Sequence, residues 1–193
     1  MNKKEHTCCF FGHRKIDFTD ELINRLKDII EDLIIDKKID TFLFGSKSAF
    51  NELCLKIVTE LKNKYSYIKR IYVRAEFPYI DEKYESYLMT KYDETYYPER
   101  LLNAGRAVYV ERNYEMVDNS NYCVCYYDEA YKPSNRNSGT KIAYDYAVKK
   151  GVKMIVIDKA SHILWLAVTL RVFCIIHKEL ECNCCQKVFR RGL

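Results

Sequence analysis

Three short segments hold residue types suited to gripping an anion. Phe11-Gly12-His13-Arg14 sets a glycine, an imidazole and a guanidinium in succession. Glycine lets backbone approach a ligand closely, and arginine can hold a phosphate through a two-pronged fork. The plainer alternative is a surface arginine beside a structural histidine. Pro133-Ser134-Asn135-Arg136-Asn137-Ser138-Gly139-Thr140 ends in small residues at the predicted start of a helix. Such a start carries partial positive charge and N–H groups that bind anions. Simple capping by Ser138 or Asn137 is the competing reading. Gly45-Ser46-Lys47-Ser48, followed by Asn51 and Glu52, is the third segment. It could add backbone donors, although capping accounts for it better. There is no Walker lysine pattern and no complete G-x-G-x-x-G.

The elements that must position these segments follow from hydrophobic spacing. An apolar run over 6–11 reads as a strand ending in the first segment. Leu22, Ile23, Leu26, Ile29, Ile30, Leu33 and Ile34 recur at helical spacing over 18–36, with Thr19 or Asp20 as cap. Residues 41–44 form a second strand. A second helix then carries Phe50, Leu53, Cys54, Ile57, Val58 and Leu61 on one face. Residues 69–75 are strand-like. Over 76–97 the pattern weakens, with a short helix near 81–89 and a tyrosine-rich stretch of the kind that forms lids or pocket walls. Beyond it come a short strand at 107–110, a short helix at 113–119 and a strand at 122–127. A polar loop over 128–137 and a helix at 138–150 follow, with Ile142, Ala143, Ala147 and Val148 as its apolar positions. Gly151 ends that helix, before a strand at 152–157.

Strands alternating with amphipathic helices predict βαβ units, right-handed crossovers and a mostly parallel sheet. The expected fold is a Rossmann-like α/β three-layer sandwich. Ligands of such sheets bind beyond the carboxyl ends of the strands, where the three segments lie.

Composition fits this picture. The chain has 193 residues, which suits one main domain. Only three prolines and six glycines, with no low-complexity run, argue against disorder. The net charge of +5 is modest and mixed along the helices, so nucleic acid is not an expected partner. Seventeen tyrosines are many, and some are expected to line a cleft. Cys8, Cys9, Cys54, Cys123 and Cys125 sit in apolar segments and read as core thiols of a reducing cytosol. With no signal-peptide pattern at the N-terminus, the expectation is a cytoplasmic protein, with room for a homo-oligomer.

Several motifs in order resemble one family. Cys8-Cys9-Phe10-Phe11-Gly12-His13-Arg14 resembles the opening strand and loop of the YpsA-like branch of the SLOG superfamily. Phe44-Gly45 with Phe50-Asn51-Glu52-Leu53, then Lys69-Arg70-Ile71-Tyr72-Val73, is similar to its second unit. Glu99-Arg100, Tyr109-Val110-Glu111-Arg112-Asn113 and Met116-Val117-Asp118 resemble its middle. Pro133-Ser134-Asn135 and Ser138-Gly139-Thr140-Lys141-Ile142-Ala143-Tyr144-Asp145-Tyr146-Ala147 resemble its final loop and helix.

The resemblance spans about Thr7 to Ile157. It implies a domain over 1–158, related to LOG phosphoribohydrolases and DprA-type proteins. It also implies a nucleotide or NAD-related ligand held by Gly12, His13, Arg14, Gly45, Ser46, Ser138, Gly139 and Thr140. LOG hydrolases end their P-G-G-x-G-T-x-x-E motif in a glutamate that acts on the N-glycosidic bond. Here that position is Ala143. An alanine can neither stabilise developing positive charge nor activate water. Glu111 or Asp145 could serve only if the fold brought one to the pocket. A binding or sensing protein is therefore the leading expectation. A nucleotide N-glycosidic hydrolase is the alternative, and DNA binding by analogy with DprA comes last.

The tail over 159–193 is expected to be a C-terminal extension, helical or loosely ordered. Ile163 to Ile176 is strongly apolar, but it is short for a membrane span and Arg171 interrupts it. Cys174, His177, Cys182 and Cys185 are conceivable metal ligands, though a C-x-C-C spacing is unusual for zinc.

Overall fold

β1 (Thr7–Gly12) is buried at every position. Successive side chains of a strand point to opposite faces. Cys8 and Phe10 join one core, while Cys9 and Phe11 join another. This is why the strand reads as a continuous apolar run rather than an alternation. A computed structural model describes residues 3–45, 47–128 and 138–157 of the chain.

The remaining strands are β2 (Thr41–Phe44), β3 (Lys69–Val73), β4 (Glu94–Tyr96), β5 (Tyr122–Tyr126) and β6 (Lys153–Ile157). They make one sheet in the order β4-β3-β2-β1-β5-β6, with every neighbouring pair parallel. The fold is Rossmann-like α/β. Chain order runs outward from β1 to β4, then returns to the other side of β1 for β5. The switch point lies between β1 and β5, whose register pairs Gly12 with Tyr126.

The helices cover both faces. α1 (Asp20–Ile35) is capped by Thr19, whose Oγ1 accepts from the Leu22 N–H at 3.2 Å. α2 (Ala49–Lys62) is capped by Ser48, whose Oγ accepts from the Asn51 N–H at 3.2 Å. Both helices bury their apolar stripes with Phe10, Phe42 and Phe44. Each fully buried phenylalanine contributes about 1.5–3 kcal/mol by leaving water. α3 (Glu82–Met89) adds Leu88 to that core. α4 (Val108–Asp118) and α5 (Gly139–Lys149) cover the other face with Met116, Val117, Ala143 and Ala147.

Two expectations change here. The strand at 107–110 does not form: Val108 opens α4, which absorbs the shorter helix placed at 113–119. The β-branched run favours a strand locally, but tertiary context decides. Arg100 binds Glu111 at 2.8 Å, Glu115 at 3.7 Å and Asp118 at 2.9 Å. Carboxylates at this i, i+4, i+7 spacing converge only on a helix. The tyrosine-rich stretch is also not simply a pocket wall. It builds the expected short helix, α3, and the unforeseen edge strand β4, whose three residues are too few to show periodicity. Arg70 anchors this edge, with its backbone N–H, Nε and Nη2 donating to the Asp93 carboxylate at 2.8, 3.1 and 3.0 Å. Burial alone would raise the Asp93 pKa, but Arg70 and Lys62 outweigh it and hold it at about 2.

The five core cysteines are buried free thiols, as expected. Burial raises the pKa of Cys8, Cys54 and Cys125, which keeps those thiols protonated. No helix among the described residues is long and apolar enough to cross a membrane. The tail, with its cysteines, lies outside the described residues.

Candidate functional site

A cavity of about 690 Å³ opens at the carboxyl ends of the central strands. Its size falls within the range of small-molecule sites. β1 supplies Phe11 and Gly12 and is followed by His13 and Arg14; Gly45 and Lys47 follow β2, and Glu76 follows β3. Tyr109, Arg112 and Asn113 come from α4, and Ser138, Gly139 and Thr140 from the start of α5. The first candidate segment lines the cavity in full, the second contributes Ser138, Gly139 and Thr140, and the third Gly45 and Lys47. Ser46 lies outside the described residues, as do Pro133 to Asn137.

Each of these positions has a local cause. A Cβ on Gly12 would run into the Phe50 ring, so the glycine lets α2 pack against the end of β1. The Ala49 N–H donates to the Arg14 carbonyl at 3.2 Å, tying that loop to the start of α2. Ser138 caps α5, its Oγ accepting from the Lys141 N–H at 3.1 Å. Capping and cavity lining therefore coincide. The Gly139 and Thr140 N–H groups belong to the first turn, which no intrahelical acceptor can satisfy. Gly139 has open space around its Cβ position, so it is not a packing requirement.

His13 is 2 % exposed, and its Nε2 accepts from the Asp128 N–H at 3.0 Å. An accepting Nε2 places the ring proton on Nδ1. Burial lowers its pKa below the usual 6.5, against the opposing effect of Asp128. The folded state thus binds fewer protons than the unfolded chain. Stability from this group is complete above about pH 6.5 and is lost as pH falls below it. Thermal unfolding should show a lower midpoint at pH 5.5 than at pH 7.5. Part of that difference should vanish in His13→Gln, whose amide oxygen can still accept but does not titrate in this range.

Arg112 was quoted in the sequence only within a motif; in the structure it is the central residue. Its side chain enters the cavity from α4 and is 4 % exposed. Nη1 donates to the carbonyls of Gly45 and, at 3.5 Å, Val73. Nε donates to Asn113 Oδ1 at 3.0 Å. Tyr109 lies 5.9 Å from the guanidinium carbon. A Cβ on Gly45 would sit 2.7 Å from Arg112 Cδ and Nη1, so any side chain there would push the guanidinium from its place. Burial lowers the Arg112 pKa, while Tyr72, Glu76 and Tyr109 act to raise it. Arginine remains charged regardless. It forms no ion pair with a carboxylate among the described residues. Nη2 donates to none of their atoms either.

The acids expected as catalytic alternatives are elsewhere. Glu111 is bound to Arg100 at 2.8 Å and does not line the cavity. Asp145 pairs with Lys141 at 2.8 Å on the exposed side of α5. Ala143 is 0 % exposed within the core between α5 and the sheet, so the position serves packing. Among the described residues, the carboxylate that lines the cavity is Glu76, which no sequence motif marks. Among the tyrosines, Tyr109 lines it, while Tyr72 and Tyr92 stack at 5.0 Å and Tyr114 and Tyr146 at 3.8 Å.

No protein-family model matches this chain. No curated protein matches it either. Fold and local chemistry are therefore the ground for any functional reading.

Proposed function

We propose that this protein binds a nucleotide or nucleotide-derived ligand, with its phosphate against Arg112, Arg14 and the start of α5, and acts as a binding or sensing protein. The observation that carries this is the buried Arg112. A guanidinium this buried, in ion-pair contact with no carboxylate among the described residues, is costly to keep charged, and Glu76 offsets that cost only in part. A phosphate beside it supplies the missing charge and accepts from Nη2. Arg14 and Lys47 add positive charge, against Glu76 alone among the described lining residues. The position beside the β1/β5 switch point is where parallel sheets hold such ligands. The ordered resemblance to the YpsA-like SLOG branch supports the same class of ligand, NAD-related molecules included. Buried free thiols suit a reducing compartment such as the cytoplasm.

Calorimetry of the full chain against AMP, ADP-ribose, NAD and cyclic AMP, with adenosine as control, tests the reading. At least one phosphate-bearing member should bind below millimolar, and more tightly than adenosine. If none does, the reading fails.

One observation favours a second reading, hydrolysis of an N-glycosidic bond. Glu76 offers a cavity carboxylate that Ala143 and Glu111 do not. Chromatography of nucleoside monophosphates incubated with the protein tests it, and release of free base at the buffer rate refutes it.

A further inference from the structure

We infer that Asn113 makes the cavity selective for an anion: it holds Arg112 by a neutral oxygen, which leaves the guanidinium charge for the ligand, and it offers its own amide NH2 beside it. This rests on the reading that the cavity takes a phosphate. Arg112 Nε donates to Asn113 Oδ1 at 3.0 Å, and Nη1 donates to the Gly45 and Val73 carbonyls. Every acceptor of this buried guanidinium among the described residues is therefore neutral. Glu76 acts on Arg112 only across space, and its ion-pair contact is with Lys47 at 3.9 Å. An aspartate has nearly the shape of asparagine. At position 113 its carboxylate would meet Nε in a charge-assisted hydrogen bond, and the arginine would reach the cavity already paired.

The arginine also fixes which way the amide turns. A guanidinium only donates, so Asn113 faces Nε with its oxygen and the NH2 is what remains. That NH2 has no acceptor among the described residues. Asn113 lines the same cavity as Arg112 and follows it on α4. The two side chains, joined by their hydrogen bond, thus present donors together. An ionised phosphate brings only acceptors to such a wall. A purely structural Asn113 would behave differently. Aspartate would then hold Arg112 as well as asparagine does, since its oxygen also accepts from Nε, and leucine would not. The two roles predict opposite orders of anion affinity for these substitutions.

The test is calorimetry of the full chain, of Asn113→Asp and of Asn113→Leu with inorganic phosphate and AMP, with thermal unfolding of each preparation. Asn113→Leu should bind both probes about tenfold more weakly, since a hydrogen bond to a charged group is lost. Asn113→Asp should lose about a hundredfold or more, because a like charge is added and Arg112 is neutralised. Its thermal midpoint should equal or exceed the native one, as the new pair forms. Asn113→Asp binding within threefold of the native protein, or more tightly than Asn113→Leu, overturns the inference. So does native affinity in Asn113→Leu, or a midpoint well below the native one in Asn113→Asp. In each of these cases native binding of phosphate or AMP would leave the site reading standing. Failure of the native protein to bind either probe removes the site reading and this inference together.

Discussion

Arg112→Met should weaken binding of a nucleotide phosphate by about a hundredfold or more while leaving the protein folded. The loss is large because the guanidinium is buried and its remaining donors have no other acceptor among the described residues. The stability change runs differently. Methionine fills similar volume without charge, and exchanging a buried charge for an apolar group is often neutral or stabilising. Against that, the Gly45 and Val73 carbonyls lose a donor, at about 1 kcal/mol each. These effects offset, so the thermal midpoint should stay within a few degrees of the parent. Calorimetry and thermal unfolding on one preparation check both halves. A residue kept only for stability would give the reverse: a lowered midpoint with unchanged phosphate affinity.

Gly12→Ala should cost about 1–3 kcal/mol, the usual range for forcing extra atoms into a packed core. The added methyl meets Phe50 at the root and body of its ring, which cannot swing aside cheaply. Phe50 is fully buried and lies 5.7 Å from Tyr126, so its displacement reaches the end of β5. Denaturant unfolding should show the loss, and Phe50→Leu in the Gly12→Ala background should recover part of it. Gly139→Ala is the contrast. Its Cβ position is open, and the change should stay within about 0.5 kcal/mol. If the two glycines respond alike, the packing explanation for Gly12 is wrong.

The sheet is largely readable because its central strands β1, β2 and β5 are buried on both faces and the helices α1 and α2 carry long apolar stripes. β2 has the bounds that its sequence predicts, and of the two cap candidates at each of α1 and α5 the structure uses Thr19 and Ser138. α4 was misread because its first residues are β-branched and aromatic, and only the distant Arg100 reveals the helical spacing of Glu111, Glu115 and Asp118. That misreading also hid the principal site residue. On a strand over 107–110, Arg112 falls in a loop; on α4 it shares a buried face with Met116, one turn further along. The arginine and methionine at i and i+4 were the available signal. Polar burial was the obstacle, since an arginine in sequence reads as surface. Glu76 was hidden for another reason. It sits three residues past β3 in a region of weak periodicity, and only the sheet order brings the end of β3 beside the cavity.

The most direct measurement is a crystal structure of the full chain with AMP. The phosphate should lie within hydrogen-bond distance of Arg112 and of the Gly139 and Thr140 N–H groups. Nucleotide bound elsewhere, or a cavity left empty at saturating AMP, would contradict it.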